Sequence, residues 1–236
     1  MKKLFVILLV MISAGLYAQQ VNDPNAEVRA AKNFHGINIS NAFDVYITQS
    51  NEEAVAVSAS ETKYRDRISV EVKDGILRIK YDNEGRWNAG NRKLKAYISI
   101  KQIDKLTVSG ACDVFLTGVL KADDLTINLS GATDLKGKID AKKLSVDLSG
   151  ASDMNITGGT TAQLTIEVSG ASSFKGFDLV TDYCDAKVSG ASDIRITVNK
   201  ELSAHASGAS NVQYKGEGLI RDIRTSGASS VSRSRS

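Results

Sequence analysis

Four aspartates recur in the C-terminal half of the chain at intervals of 21, 19 and 40 residues and are its most regular candidates for chemistry. They are Asp113, Asp134, Asp153 and Asp193. Carboxylates one repeat apart could bind calcium, or could act as acid and base on a polysaccharide. Ser173, Asn211 and Ser230 stand at the same place in other repeats, which a turn-capping position allows and a catalytic acid does not. The pattern therefore favours a structural corner ladder, with calcium binding as the alternative.

Other reactive side chains are sparse. His35 and His205 are the two histidines, and neither has a second metal-ligating residue at the short spacing that is typical of a metal site. The many serines have no base beside them, so a hydrolytic triad is not indicated. We therefore assign no catalytic residue, no metal ligand and no cofactor.

Trp87 is the single tryptophan and follows Arg86 in a polar segment, residues 82–93. An exposed Trp87 beside Arg86 could stack on a sugar ring, which makes these two residues candidates for ligand binding. The alternative, which we favour, is that Trp87 folds back onto the body of the protein.

The tripeptide Ser-Gly-Ala dominates the C-terminal half. Its seven copies start at Ser109, Ser130, Ser149, Ser169, Ser189, Ser207 and Ser226, in steps of 21, 19, 20, 20, 18 and 19 residues. So regular a spacing indicates a repeat architecture of about 20 residues per unit.

Each unit carries two runs in which alternate residues are apolar, on either side of the tripeptide, as expected for strands with one buried face. One unit cannot bury that face alone, whereas stacked units share a core. The sequence therefore predicts an all-β parallel β-helix, right-handed like most parallel crossovers. We expect Gly to form the corner and Ala to turn inward. A β-propeller would need about 40 residues per blade and is less economical.

The repeat also bears on the two cysteines, Cys112 and Cys184. Cysteine pairs in exported proteins often form disulfides. Here the two residues lie four units apart, or roughly 19 Å at one strand spacing per unit, beyond the ~7 Å reach of a disulfide. We predict two free thiols.

Residues 34–108 are strand-rich but less regular. Asp74-Gly75 lies between two alternating runs and predicts a tight hairpin. The segment Ser40-Asn41-Ala42-Phe43-Asp44 is similar to a degenerate copy of Ser-Gly-Ala-x-Asp. This half could therefore be the atypical start that covers the end of a solenoid.

The N-terminus has the features of a secretory signal peptide: Lys2 and Lys3, an apolar run over residues 4–12, and small residues before Ala18. We place the signal peptide at residues 1–18, a linker at 19–33, the irregular half at 34–108, the β-helix at 109–231 and a polar tail at 232–236. The mature chain has no transmembrane segment. Its formal charge falls from +3 to +1 with the loss of Lys2 and Lys3, which argues against nucleic-acid binding.

These motifs together resemble the head GIN domain family of Bacteroidetes, whose members are called "putative auto-transporter adhesins". The resemblance rests on residues 37–49, on the strand at residues 74–80 and on the repeated Ser-Gly-Ala-Ser-Asp, and it covers residues 34–231. It implies a β-helical fold, an exported protein of the periplasm, outer-membrane surface or extracellular space, and no established catalytic residue.

We expect a non-enzymatic binding protein, an adhesin for glycans or envelope partners. The alternatives are a β-helix polysaccharide lyase or hydrolase, and a scaffold that associates through the edges of the solenoid. The sequence leaves the oligomeric state open.

Overall fold

Strands form where apolar and polar residues alternate, because one face of each run is then available for burial. The computed structural model describes residues 23–83 and 92–234. These residues form a β-solenoid of about six turns that is nearly all strand. The predicted all-β solenoid fold is confirmed.

The strands of the N-terminal half are β1 (Glu27–Arg29), β2 (Gly36–Ile39), β3 (Asp44–Gln49), β4 (Ala54–Ser58), β5 (Ile68–Lys73), β6 (Ile76–Tyr81), β7 (Lys95–Ile100) and β8 (Lys105–Gly110). A short helix, α1 (Thr62–Arg65), lies between β4 and β5. The strands of the C-terminal half are β9 (Asp113–Gly131), β10 (Asp134–Leu148), β11 (Asp153–Ile156), β12 (Gly159–Val168), β13 (Ser173–Val188), β14 (Asp193–Gly208), β15 (Asn211–Lys215), β16 (Leu219–Gly227) and β17 (Ser230–Arg233).

Equivalent residues of successive repeats lie directly above one another in parallel pairs. Leu125 pairs with Leu144, and Leu144 with Leu164. The same column continues through Cys184 and Leu202. These side chains are all buried, so the predicted stacking around one apolar core is confirmed.

The Ser-Gly-Ala corners stack in the same way, with one correction to the sequence interpretation. The amide of Ala151 donates to the Gly131 carbonyl and the amide of Ala171 to the Gly150 carbonyl, which joins adjacent layers. We expected Ala to face the interior, but Ala151 and Ala171 are exposed and Ser152, the next residue, is buried. The positive φ of each corner Gly turns the chain so that the position after Ala enters the core.

The N-terminal half adds further layers to the solenoid, and the order of these layers differs from their order along the chain. The layer of β2 and β3 lies between the layer of β6 and β7 and the layer of β8 and β9, all in parallel pairs. Strands β5 and β4 then pair antiparallel with β6 and β7, and β1 pairs with β4. This half therefore covers one end of the core.

Two local predictions for this half are also confirmed. Asn41 has a φ of 88°, and the Ala111 amide donates to its carbonyl as the later Ala amides do to glycine carbonyls. Asn41 is thus the Gly equivalent of the degenerate repeat. Asp74 and Gly75 both have positive φ and join β5 to β6 as a tight hairpin.

The predicted signal peptide, residues 1–18, lies outside the described residues. Strand β1 falls within residues 19–33, the segment assigned as a linker. Among residues 23–83 and 92–234, no helix is long and apolar enough to cross a membrane.

Candidate functional site

The corner aspartates form a continuous column on the outside of the solenoid. Asp113 pairs with Asp134, Asp134 with Asp153, and the column passes through Ser173 to Asp193. Parallel strands place such neighbours about 4.8 Å apart. Asp44 of β3, which pairs with Asp113, extends the column into the N-terminal half.

These side chains bond along the column. Ser173 Oγ donates to Asp153 Oδ1 at 2.6 Å, and Lys175 Nζ donates to Asp153 Oδ2 at 3.0 Å. Asn211 Nδ2 likewise donates to Asp193 Oδ1 at 3.1 Å. The column is therefore tied together between layers.

In several turns the hydrogen bond within the turn is made by the residue directly after the corner Ala. Thr133 Oγ1 donates to the Ser130 carbonyl and Ser152 Oγ to the Ser149 carbonyl, both at 2.9 Å, and Ser210 Oγ donates to the Ser207 carbonyl at 2.7 Å. Their burial leaves no water to satisfy these groups, so the pairing within the turn matters. Sequence reasoning missed this position, whose signal is a run of small hydroxylated residues directly after Ala.

The pKa values of two adjacent carboxylates in the column are shifted in opposite directions. Partial burial, together with the charges of Asp153 and Asp113, raises the pKa of Asp134. Burial also acts to raise the pKa of Asp153, but hydrogen bonds from Ser173 and Lys175 outweigh it and hold that pKa below its ordinary value. No group of three or more metal-ligating side chains occurs in the part of the chain that the structure describes.

Three aromatic rings stack on the next outward column. Tyr46 lies between Tyr97 and Phe115, with ring centroids 5.2 and 5.3 Å apart and interplanar angles of 15° and 20°. The Tyr97 hydroxyl donates to Asp23 Oδ2 at 2.9 Å. Because Tyr46 has a ring on each face, the stack stabilises the layers instead of offering a free aromatic platform.

A groove of about 490 Å³ runs along the outward side of the strand that precedes each corner. The side chains of one column line it, in the order Asp147, Glu167, Lys187, His205 and Arg224. The corner serines form its other wall. From sequence, the changing charge of this column is typical of solvated surface, and nothing in the repeat predicts that the column borders a groove.

Ion pairs order the charged column. Lys187 Nζ lies 2.8 Å from Glu167 Oε1, and this hydrogen bond raises the pKa of Lys187. His205 Nε2 and Arg224 Nε both lie 3.0 Å from Asp222 Oδ2. The hydrogen bond to His205 is the main reason that the pKa of Asp222 is lowered. The groove thus presents paired donors and acceptors at successive layers.

The remaining candidate residues lie elsewhere. Trp87 and Arg86 fall outside the described residues. His35 Nδ1 lies 2.8 Å from Asp104 Oδ2, whereas His205 belongs to the groove. Cys112 and Cys184 are free and buried, Cys112 at a corner and Cys184 within a strand.

Comparison with known families bears on the whole solenoid. A family model described as "Putative auto-transporter adhesin, head GIN domain" matches residues 33–218. The chain belongs to this family. The resemblance seen in the sequence is therefore confirmed, and the groove lies largely within the matched part of the head GIN domain.

Solved structures share the fold of this head GIN domain. A putative adhesin from Bacteroides fragilis NCTC 9343 is 21% identical, with a TM-score of 0.83 over 89% of this chain and 96% of that one. A putative adhesin from Parabacteroides distasonis ATCC 8503 is 18% identical, with a TM-score of 0.70 over 89% and 96%. A structure from the same strain called a putative lipid binding protein is 18% identical, with a TM-score of 0.67 over 90% and 98%. No curated protein is significantly similar to this chain.

Proposed function

We propose that this head GIN domain is an exported, non-enzymatic adhesin that binds an extended glycan along the charged groove. The observation that carries the proposal is the column from Asp147 to Arg224, which lines the groove with one polar side chain per layer. Successive layers repeat at about 4.8 Å. A regular row of this kind suits a long polymer better than a compact ligand.

The chemistry of the lining favours a hydroxyl-rich ligand. The Glu167–Lys187 pair and the cluster of His205, Asp222 and Arg224 offer charged donors and acceptors that are already oriented by one another. Hydrogen bonds to charged groups are the stronger ones, and prior orientation lowers the entropy cost of binding.

A glycan-binding screen with matched variants tests this proposal. Glu167→Gln combined with Lys187→Gln removes one ion pair inside the groove while keeping side-chain size. Asp123→Asn combined with Lys142→Gln removes a comparable interlayer pair, 2.7 Å long and largely exposed, that does not line the groove. We expect the first pair of changes to weaken binding of a captured glycan about tenfold, and the second to leave it unchanged. Absence of glycan binding by the wild type, or equal loss in both variants, would refute the proposal.

One observation supports the enzymatic alternative. Asp134 and Asp153 are adjacent carboxylates whose pKa values move apart, as those of an acid and a base do. A reducing-end assay on polysaccharides decides between the two. We expect no product from the wild type, whereas product that disappears in an Asp134→Asn, Asp153→Asn double variant would assign the protein as a hydrolase or lyase.

A further inference from the structure

The two ends of the solenoid are finished differently. At the N-terminal end, antiparallel strands β5 and β4 cover the edges of β6 and β7. At the C-terminal end, β16 pairs with β14 and β17 pairs with β15, and no further strand among residues 23–83 and 92–234 covers them. The last layer therefore presents unpaired backbone donors and acceptors.

At this end, two columns of buried core side chains become partly exposed. The column of Ile166, Ala186 and Ala204 is fully buried, yet its next member, Ile223, is 40% exposed. The column of Leu202 behaves in the same way, because Ile220 is 42% exposed. Leu219 beside them is 76% exposed. Ile220 and Ile223 thus continue buried columns that a further layer would cover, whereas Leu219, whose partner is the outward Glu201, adds an apolar side chain on the outer face.

The charges of β16 identify what such a layer would be. In an antiparallel pair of two β16 strands, directly opposed side chains lie on the same face. Asp222 and Arg224 are outward and Ile223 is inward, as their partners Ser203, His205 and Ala204 show. If the two strands cross at Ile223, Asp222 of each copy faces Arg224 of the other, and the two Ile223 side chains meet in the core.

The neighbouring registers are unfavourable. A crossing at Asp222 or at Arg224 would oppose like charges, and like charges directly opposite destabilise a sheet. A shift by an odd number of residues would place inward side chains against outward ones. A bulge at Arg221 confines regular pairing to the segment that begins at Asp222, so that Leu219 and Ile220 contribute by apolar contact.

We propose that the C-terminal end of the solenoid binds a second copy of the chain, with the two β16 strands antiparallel across a two-fold axis at Ile223. This closed contact uses the same surface on both copies. It continues the core of each copy into the other, and it places the two charged grooves end to end. The inference does not depend on glycan binding, since it rests on the edge strand, on the exposed core columns and on the opposed charges of Asp222 and Arg224, and it is tested by association alone.

Sedimentation velocity across a wide dilution series tests the association. We expect a dimer that dissociates on dilution. Arg224→Glu opposes two like-charge pairs and should weaken the dimer about tenfold. The double change Asp222→Arg, Arg224→Asp reverses both partners of each pair and should restore it. Circular dichroism of each variant verifies that the fold is retained.

Disulfide trapping tests the register. In the proposed dimer the two copies of residue 223 are direct cross-strand neighbours, within disulfide reach. Ile223→Cys should therefore form a covalent dimer on mild oxidation. Ser226→Cys is the control, because the two copies of residue 226 would lie about 20 Å apart along the strands. A wild type that is monomeric at every concentration, no restoration by the charge reversal, or trapping by Ser226→Cys as fast as by Ile223→Cys would overturn the proposal.

Discussion

Gly131 lies directly above Gly110 at the corner of the solenoid. A Cβ on Gly131 would be 2.3 Å from the Gly110 carbonyl oxygen. The φ of Gly131 is 87°, a conformation that costs other residues about 1–2 kcal/mol. Backbone contact and backbone conformation both require glycine here, which explains why the corner tripeptide recurs without change at this position.

Replacing a corner glycine should cost more than its φ alone explains. Gly170 has a φ of 79°, and a Cβ on it would lie 2.4 Å from the Gly150 carbonyl oxygen. We expect Gly170→Ala to lower the free energy of unfolding by about 3 kcal/mol, from strain and displaced backbone together. Gly118 is the control, since its φ is 82° but no atom lies within 4 Å of the place that a Cβ would occupy. Gly118→Ala should cost about 1–2 kcal/mol, and equal losses in urea unfolding would contradict the stacking argument.

The buried hydroxyls should prove more important than their size suggests. The amide of Ser152 donates to Ser172 Oγ at 3.1 Å inside the core. Ser172→Ala leaves that amide without this partner, at a cost of about 1–3 kcal/mol. Ser172→Thr keeps the hydroxyl, and Thr133 occupies the equivalent place in an earlier layer, so we expect a loss below about 1 kcal/mol. Chemical denaturation measures both, and a larger loss for Thr than for Ala would count against the role of the hydrogen bond.

Removing two neighbouring carboxylates should change stability in opposite directions. The raised pKa of Asp134 means that the folded state binds its proton more tightly than the unfolded state, so the ionised form opposes folding at neutral pH. The lowered pKa of Asp153 means the reverse, with stability present above the ordinary value of 3.8 and lost as pH falls through the lower folded value.

At neutral pH we therefore expect Asp134→Asn to raise the melting temperature and Asp153→Asn to lower it. Below pH 3.8 the difference between Asp134→Asn and wild type should shrink, because Asp134 is then protonated in both states. Thermal unfolding at both pH values checks this. A common sign for the two variants would be inconsistent with the described contacts of Asp153 with Ser173 and Lys175.

Both native thiols should be unreactive while the protein is folded. Burial raises the pKa of Cys184 and of Cys112, and the thiolate is the form that reacts. We expect iodoacetamide at neutral pH to modify neither residue in the native protein and both after denaturation, as read by mass spectrometry. Thr126→Cys provides an exposed thiol for comparison. Labelling of Cys184 as fast as the introduced thiol in that variant would refute its burial. A Cys112–Cys184 disulfide in the wild type would refute the described layer order.

Much of the fold could be predicted because the repeat carries its own register. The pairing of Leu125 with Leu144, and the corner at Asn41, both follow from spacing and alternation within short segments. The predicted inward position is wrong by one residue, since Ala151 is exposed and Ser152 is buried. The sense of a sharp turn depends on the φ of Gly150, which no local hydropathy pattern specifies.

Less of the candidate site could be predicted from the sequence. Trp87 and Arg86 form a conspicuous pair in a polar segment of the sequence, whereas Lys187 and His205 occupy ordinary outward positions of a repeat. They become candidates because a groove lies beside them and because Glu167 and Asp222 lie within ion-pair distance one layer away. Those partners are 20 and 17 residues distant in the chain.

By itself the sequence determined the repeat length, the two strands of each layer, the buried columns and the family. These features are periodic, so stacking identical units satisfies every layer at once. The tertiary structure alone decided that β6 and β7 lie outside β2 and β3, that one outward column borders a groove, and that Ile223 is left uncovered. Each of these depends on where distant segments pack and on which layer comes last, and the free energy of such contacts is not encoded in any single repeat.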